Sequence, residues 1–142
     1  MKSKRTSIDD CKLVGLPKIV DSRGNLTSIE SQRHVDFKIK RIYYLYDVPG
    51  GAERGGHAHK NLFQLIVAIS GSFDVVLDDG ENRKIVQLNR GDTGLTLSPY
   101  IWREINNFST GAVCLVLASD YYYELDYIRD YEDFMSIKKT TE

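Results

Sequence analysis

From Phe37 onward the chain breaks into short runs of β-branched and aromatic residues, with turn-forming clusters every 8–12 positions or so, a rhythm that leaves few folds open. The runs are Phe37–Tyr46, Leu62–Ser70, Phe73–Leu77, Lys84–Leu88, Thr93–Leu97, Trp102–Asn106 and Val113–Ala118. Between them stand Ser70-Gly71-Ser72, Asp78-Asp79-Gly80, Asn89-Arg90-Gly91-Asp92, Ser98-Pro99 and Ser109-Thr110-Gly111. Each supplies glycine, proline or an Asx side chain able to reverse the chain. The pattern predicts an antiparallel all-β sandwich or barrel. Helical spacing occurs only in the tail after Ser119, through Leu125, Ile128, Tyr131 and Met135, with Asp120 placed to cap its start. A short C-terminal helix is therefore expected within about residues 120–142.

The 142 residues are read as one domain spanning 1–142, because two halves would each be too small to bury a core. With 20 acidic against 19 basic residues there is no overall field to attract nucleic acid or an anionic membrane, so a phosphate group has to be held by local arginines. Met1–Asp10 is polar, and no stretch approaches the roughly 18 apolar residues of a membrane span. A cytoplasmic protein is expected. Cys11 and Cys114 lie far apart, and Cys114 sits in an apolar run, which favours buried thiols over a bridge. An early strand-like piece, Lys18–Val20 and Leu26–Glu30 around the turn Asp21-Ser22-Arg23-Gly24-Asn25, has no evident partner in a compact sandwich. Natural sheets cover their edges, so this piece, within about 17–31, is expected to cover a partner subunit in a homodimer.

The chemically loaded stretch is Arg54-Gly55-Gly56-His57-Ala58-His59-Lys60. Side chains two apart on an extended chain share a face, so His57 and His59 are expected to look into the barrel together. Three readings compete: one packed and one exposed histidine, a metal site, or acid–base chemistry. A metal-binding cupin has a similar His-x-His, but a glutamate ligand follows four or five residues later and a third histidine comes from a later strand. Here Phe63, Gln64 and Arg103 stand at those places, and a guanidinium beside two imidazoles repels a divalent ion. No metal is expected. What remains is a base of near-neutral pKa beside a cation, which suits removal of a proton next to a ketone with the enediolate stabilised by positive charge. Arg103 would supply that charge; its plainer alternative is a salt bridge with Glu104 or Glu30.

Asp21-Ser22-Arg23-Gly24, Glu30 and Arg54-Gly55-Gly56-His57 resemble the signature of cupins acting on dTDP-4-keto-6-deoxyhexoses, including dTDP-4-dehydrorhamnose 3,5-epimerases. Added to them are Ile39-Lys40-Arg41, Tyr43-Tyr44, His57-Ala58-His59-Lys60, Leu77-Asp78-Asp79-Gly80, Ala118-Ser119-Asp120-Tyr121-Tyr122 and Asp126-Tyr127-Ile128-Arg129. Together these most resemble the dTDP-sugar 3,4-ketoisomerases, over nearly the full chain. The resemblance implies a cupin jelly roll, a dimer with exchanged N-terminal strands, and no metal or organic cofactor. It implies that the ketone of dTDP-4-keto-6-deoxyglucose moves from C4 to C3, giving a substrate from which an aminotransferase makes 3-amino sugars for glycans. It carries catalytic roles to His57 and His59, one moving the proton from C3 to C4 and the other relaying between the two oxygens. Arg23 and Arg54 match arginines placed near the diphosphate, where planar bidentate donors are suited. Strand parity adds Arg41, Tyr43 and Gln64 to the substrate-binding set with Arg103. Family members vary at the Arg23 and Arg103 positions, and the arginine pair here leaves the C4 configuration open. A 3,5-epimerase and a non-catalytic sugar-nucleotide-binding cupin are the competing readings.

Overall fold

The apolar runs become strands because their alternate residues find two separate places to hide. The computed structural model describes residues 4–140. Its strands are β1 (Leu13–Gly15), β2 (Ile19–Asp21), β3 (Gly24–Leu26), β4 (Arg41–Leu45), β5 (Arg54–His59), β6 (Gln64–Ser70), β7 (Phe73–Asp78), β8 (Arg83–Leu88), β9 (Thr93–Leu97), β10 (Trp102–Asn106), β11 (Val113–Ala118) and β12 (Tyr127–Ile128), followed by helix α1 (Tyr131–Lys139). One antiparallel sheet has the order β1-β9-β6-β11-β4, the other β12-β5-β10-β7-β8, and β2-β3 forms a separate hairpin. This is the expected all-β sandwich. Among the described residues no helix is long and apolar enough to cross a membrane.

The inner faces of the two sheets meet in one core built from Ile66 and Ala68 of β6, Phe73, Val75 and Leu77 of β7, Leu95 and Leu97 of β9, Ile105 of β10, and Cys114 and Val116 of β11. The intervening residues Leu65, Val67 and Leu117 point the other way and are buried with Leu16 and Val35 against Ile29, Phe37 and Ile39. Strand β6 is thus apolar on both faces, which is why its sequence reads as a continuous run rather than an alternation. The Ser70-Gly71-Ser72 turn needs its glycine: φ is +66°, and an added Cβ would fall 2.8 Å from the Ala112 backbone. Both cysteines are free and buried.

The tail departs from expectation. The helix begins at Tyr131, and Asp130 caps it by accepting the Glu132 N–H at 2.9 Å; Asp120 lies well outside it. Residues 120–130 form no α-helix and hold only a 3₁₀ turn at Glu124–Asp126 and the short strand β12, because Tyr127 and Ile128 pair with His59 and Ala58 of β5. Tertiary pairing has overridden the apparent helical period of Leu125 and Ile128. Leu125 is exposed, while Ile128 is buried with Ala58, Trp102 and Phe134, where α1 covers the outer face of β5 and β10. The hairpin is tighter than expected, with Asp21 opposite Gly24 and Ser22-Arg23 at its tip.

Candidate active site

Strand β5 carries the two histidines with Ala58 between them on the opposite face, buried beneath α1. Both rings therefore enter the sandwich, as the two-residue spacing predicts. Their Nε2 atoms lie 3.1 Å apart and the rings meet edge to face. Tyr127 closes over both, with ring centroids 5.0 Å from His57 and 4.4 Å from His59. His59 is fully buried, and its Nδ1 is 2.9 Å from Asp126 Oδ2. Asp126 Oδ1 in turn accepts the Asn61 N–H at 2.7 Å. The backbone is strained nearby: Tyr100, a bulky residue, adopts φ 61° so that its N–H can donate to the His59 carbonyl at 2.7 Å and lead the chain into β10.

His57 stands on the wall of a cleft of about 280 Å³ that opens between the sheets, whose lining includes Arg41, Tyr43, Arg54, Arg103, Tyr127 and Arg129. Four guanidinium groups converge there in a chain whose net charge is −1, which focuses a local positive potential for an anionic ligand. Arg103 is only 2% exposed. Its Nη1 donates to Gln64 Oε1 at 2.5 Å and its Nε to the Ile101 carbonyl at 3.4 Å, while Nη2 is buried with no hydrogen-bond partner among the described residues. Among the described residues it has no carboxylate partner, so the salt bridge with Glu104 or Glu30 does not form. Gln64 Nε2 donates to Tyr43 Oη at 3.0 Å, which leaves the tyrosine hydroxyl proton free for a ligand. Arg41 Nε is likewise buried and unpartnered.

Burial penalises the charged form of both imidazoles, and the Arg103 guanidinium depresses them further, so both stay neutral in the empty site. His59 is held down less than His57 because Asp126 offsets part of the effect. Burial pushes the Tyr43 hydroxyl up, keeping it protonated. Burial alone would raise Asp126, but the hydrogen bonds from His59 and from the Asn61 and Lys60 backbones outweigh it and hold the carboxylate below its ordinary value.

Seven of the eight residues singled out in the sequence are thus gathered at one place: His57, His59, Arg41, Tyr43, Arg54, Gln64 and Arg103. Arg23 is the exception. It sits at the exposed hairpin tip, paired with Asp21 at 2.8 Å, and reaches no part of this cleft in its own chain. Sequence reasoning assigned no role to Asp126, Tyr127 or Arg129. Arg129 Cζ lies 4.1 Å from the centre of the Tyr127 ring and is held by Glu124 at 2.7 Å. Asp126-Tyr127-Ile128-Arg129 was visible only as a motif, because a contact across 67 residues carries no spacing signal. Among the described residues no cluster of three or more His, Cys, Asp or Glu is arranged to hold a metal ion.

The family model described as FdtA, WxcM-like, C-terminal matches residues 9–139. Over 123 residues, 87% of this chain and 88% of its relative, the sequence is 46% identical to TDP-4-oxo-6-deoxy-alpha-D-glucose-3,4-oxoisomerase of Aneurinibacillus thermoaerophilus. A solved 3,4-ketoisomerase from Helicobacter canadensis superposes with a TM-score of 0.89 at 45% identity, covering 92% of this chain and 98% of its own. The sugar 3,4-ketoisomerase of Thermoanaerobacterium thermosaccharolyticum, solved in complex with TDP, gives 0.92 at 39% identity, covering 94% and 97%.

Proposed function

The chain belongs to the FdtA family and is a sugar 3,4-ketoisomerase; on that premise we propose that His57 and His59 move the ketone of TDP-4-keto-6-deoxyglucose from C4 to C3. The observation that carries this reading is the neutral histidine pair at the wall of an arginine-lined cleft. In the reaction the C3–H bond breaks and a C4–H bond forms, the O3 proton is transferred to O4, and C3 becomes the carbonyl carbon. No oxidant or reductant is consumed.

His57 is the base facing the substrate, since it lines the cleft while His59 is buried behind it. A neutral imidazole takes the C3 proton, leaving an enediolate whose charge falls within reach of the unpartnered Arg103 Nη2 and the free hydroxyl proton of Tyr43. Arg41, Arg54 and Arg129 suit the diphosphate as planar, permanently charged donors. Binding a dianion also cancels part of the cationic field that holds His57 down, which raises its basicity as the substrate arrives.

Arg23 joins this site only through a second subunit. The hairpin carrying it exposes Ile19, Val20 and Leu26, and β4 exposes Ile42 and Tyr44, with Tyr46 exposed just beyond its end. Apolar surfaces of this kind on a hairpin and an edge strand support a homodimer in which the hairpin covers its neighbour. The decisive experiment is incubation with TDP-4-keto-6-deoxyglucose in deuterated water, followed by proton NMR. A 3-keto product is expected, with any exchange of ring hydrogens confined to C3 and C4. Exchange at C5 would instead indicate a 3,5-epimerase, and an unaltered sugar that nevertheless binds would indicate a binding protein.

A further inference from the structure

Asp126 has one oxygen on the Asn61 N–H at 2.7 Å and the other on His59 Nδ1 at 2.9 Å. An ionised carboxylate only accepts, so His59 Nδ1 must carry a hydrogen, and neutral His59 then has a bare Nε2. That bare nitrogen lies 3.1 Å from His57 Nε2, and two lone pairs repel at this distance, so His57 Nε2 carries a hydrogen as well. Neutral His57 is left with a bare Nδ1, a nitrogen without a hydrogen bond among the described residues.

Resting on the ketoisomerase reading, we propose that Asp126 is a positioning residue that fixes the tautomers of both histidines and makes them a proton wire leading away from the substrate. As His57 Nδ1 takes the proton from C3, the C–H electron pair stays in the enediolate. The His57 Nε2–H bond then breaks and a His59 Nε2–H bond forms. The positive charge comes to rest beside the Asp126 carboxylate and leaves the cleft wall. Once the O3 proton has passed to O4, the return path runs the same histidine steps backwards onto C4, so no co-reactant is needed. The groups facing this wire are Arg103 from β10, Arg41 from β4, Tyr127 from β12 and Arg129 just after it, with Tyr100 near the carboxylate. Against these cations, Asp126 is the group that favours a charged His59. The arrangement answers a difficulty that two imidazoles and a buried guanidinium create by themselves, since a second cation next to Arg103 would otherwise oppose the first proton transfer.

The test has two arms. Imidazole ¹⁵N NMR on the unliganded wild-type protein should show His59 protonated at Nδ1 and bare at Nε2, with His57 the reverse; a bare His59 Nδ1 overturns the proposal. Asp126→Asn keeps an oxygen for the Asn61 N–H but turns an NH₂ towards His59, forcing the opposite tautomer. Its kcat should fall roughly 10²–10⁴-fold while KM and TDP affinity stay within about threefold. Asp126→Glu should recover part of the loss, and the acid limb of kcat/KM in the Asn variant should move to lower pH. An Asn variant with wild-type kcat, or one losing TDP affinity as steeply as turnover, overturns the proposal. Inactivity of the wild-type enzyme with the expected tautomers would count against the ketoisomerase reading alone.

Discussion

Replacing Arg103 by methionine should make the protein more stable and nearly inactive. The guanidinium is 2% exposed, has no carboxylate partner among the described residues, and leaves Nη2 without a hydrogen bond. A buried charge satisfied this poorly costs several kcal/mol, and replacing buried ionic groups by apolar ones of similar volume commonly gains about 1–4 kcal/mol. Against this stands the loss of the donor to Gln64 Oε1, worth about 1–2 kcal/mol, which the amide can reduce by turning towards Tyr43. The balance favours methionine by about 1–2 kcal/mol, or roughly 3–7 °C in Tm for a chain of this size. Turnover should drop about 10²–10³-fold, the worth of one preorganised donor to an oxyanion. Thermal melting at fixed protein concentration without nucleotide and an NMR turnover assay read the two effects. A variant that melts at or below the wild type would refute the argument that Arg103 is held at the expense of the fold.

His57→Asn should lose about 10²–10⁴-fold in turnover while TDP titration by calorimetry stays near wild type, because the proposed holders of the nucleotide are the cleft arginines and not this imidazole. Arg54→Ala should weaken TDP binding by about 1.5–3 kcal/mol, measured in the same titration, with a smaller effect on kcat. Val20→Asp places a charge on the hairpin face that is exposed in one chain, and if the proposed dimer forms through that face it should shift light-scattering mass from dimer towards monomer; an unchanged dimer would remove the hairpin from the interface, and a monomeric wild type would refute the dimer itself. Folded His59 protonates only near pH 4 against an ordinary 6.5, so between those values the unfolded chain binds more protons. Stability should therefore fall as pH drops through that window, by about 1.4 kcal/mol per unit for each imidazole held neutral. Urea titrations at pH 7, 6 and 5 would show this, and the Arg103→Met variant should lose less because a cation that depresses both histidines is gone.

The long apolar strands were legible in the sequence because local pattern sets them, while β1, β5 and β12 lie outside the expected runs. Strands β9, β10 and β11 cover the residues expected for them, and β7 and β8 differ by one residue each. The inward aim of His57 and His59 was legible too, since a two-residue spacing on extended chain fixes a common face. The same parity placed Gln64 and Tyr43 beside Arg103. What could not be read was anything arising between distant segments. The tail looked helical from Ser119 because Leu125 and Ile128 fit the period, yet Ile128 gains more by pairing with Ala58 and packing under Phe134 than one extra helical turn would return. That pairing is also what carries Asp126 to His59, Tyr127 over both rings, and Arg129 to the cleft. Local pattern named the histidine pair; the long-range β5–β12 pairing decided which carboxylate stands behind it.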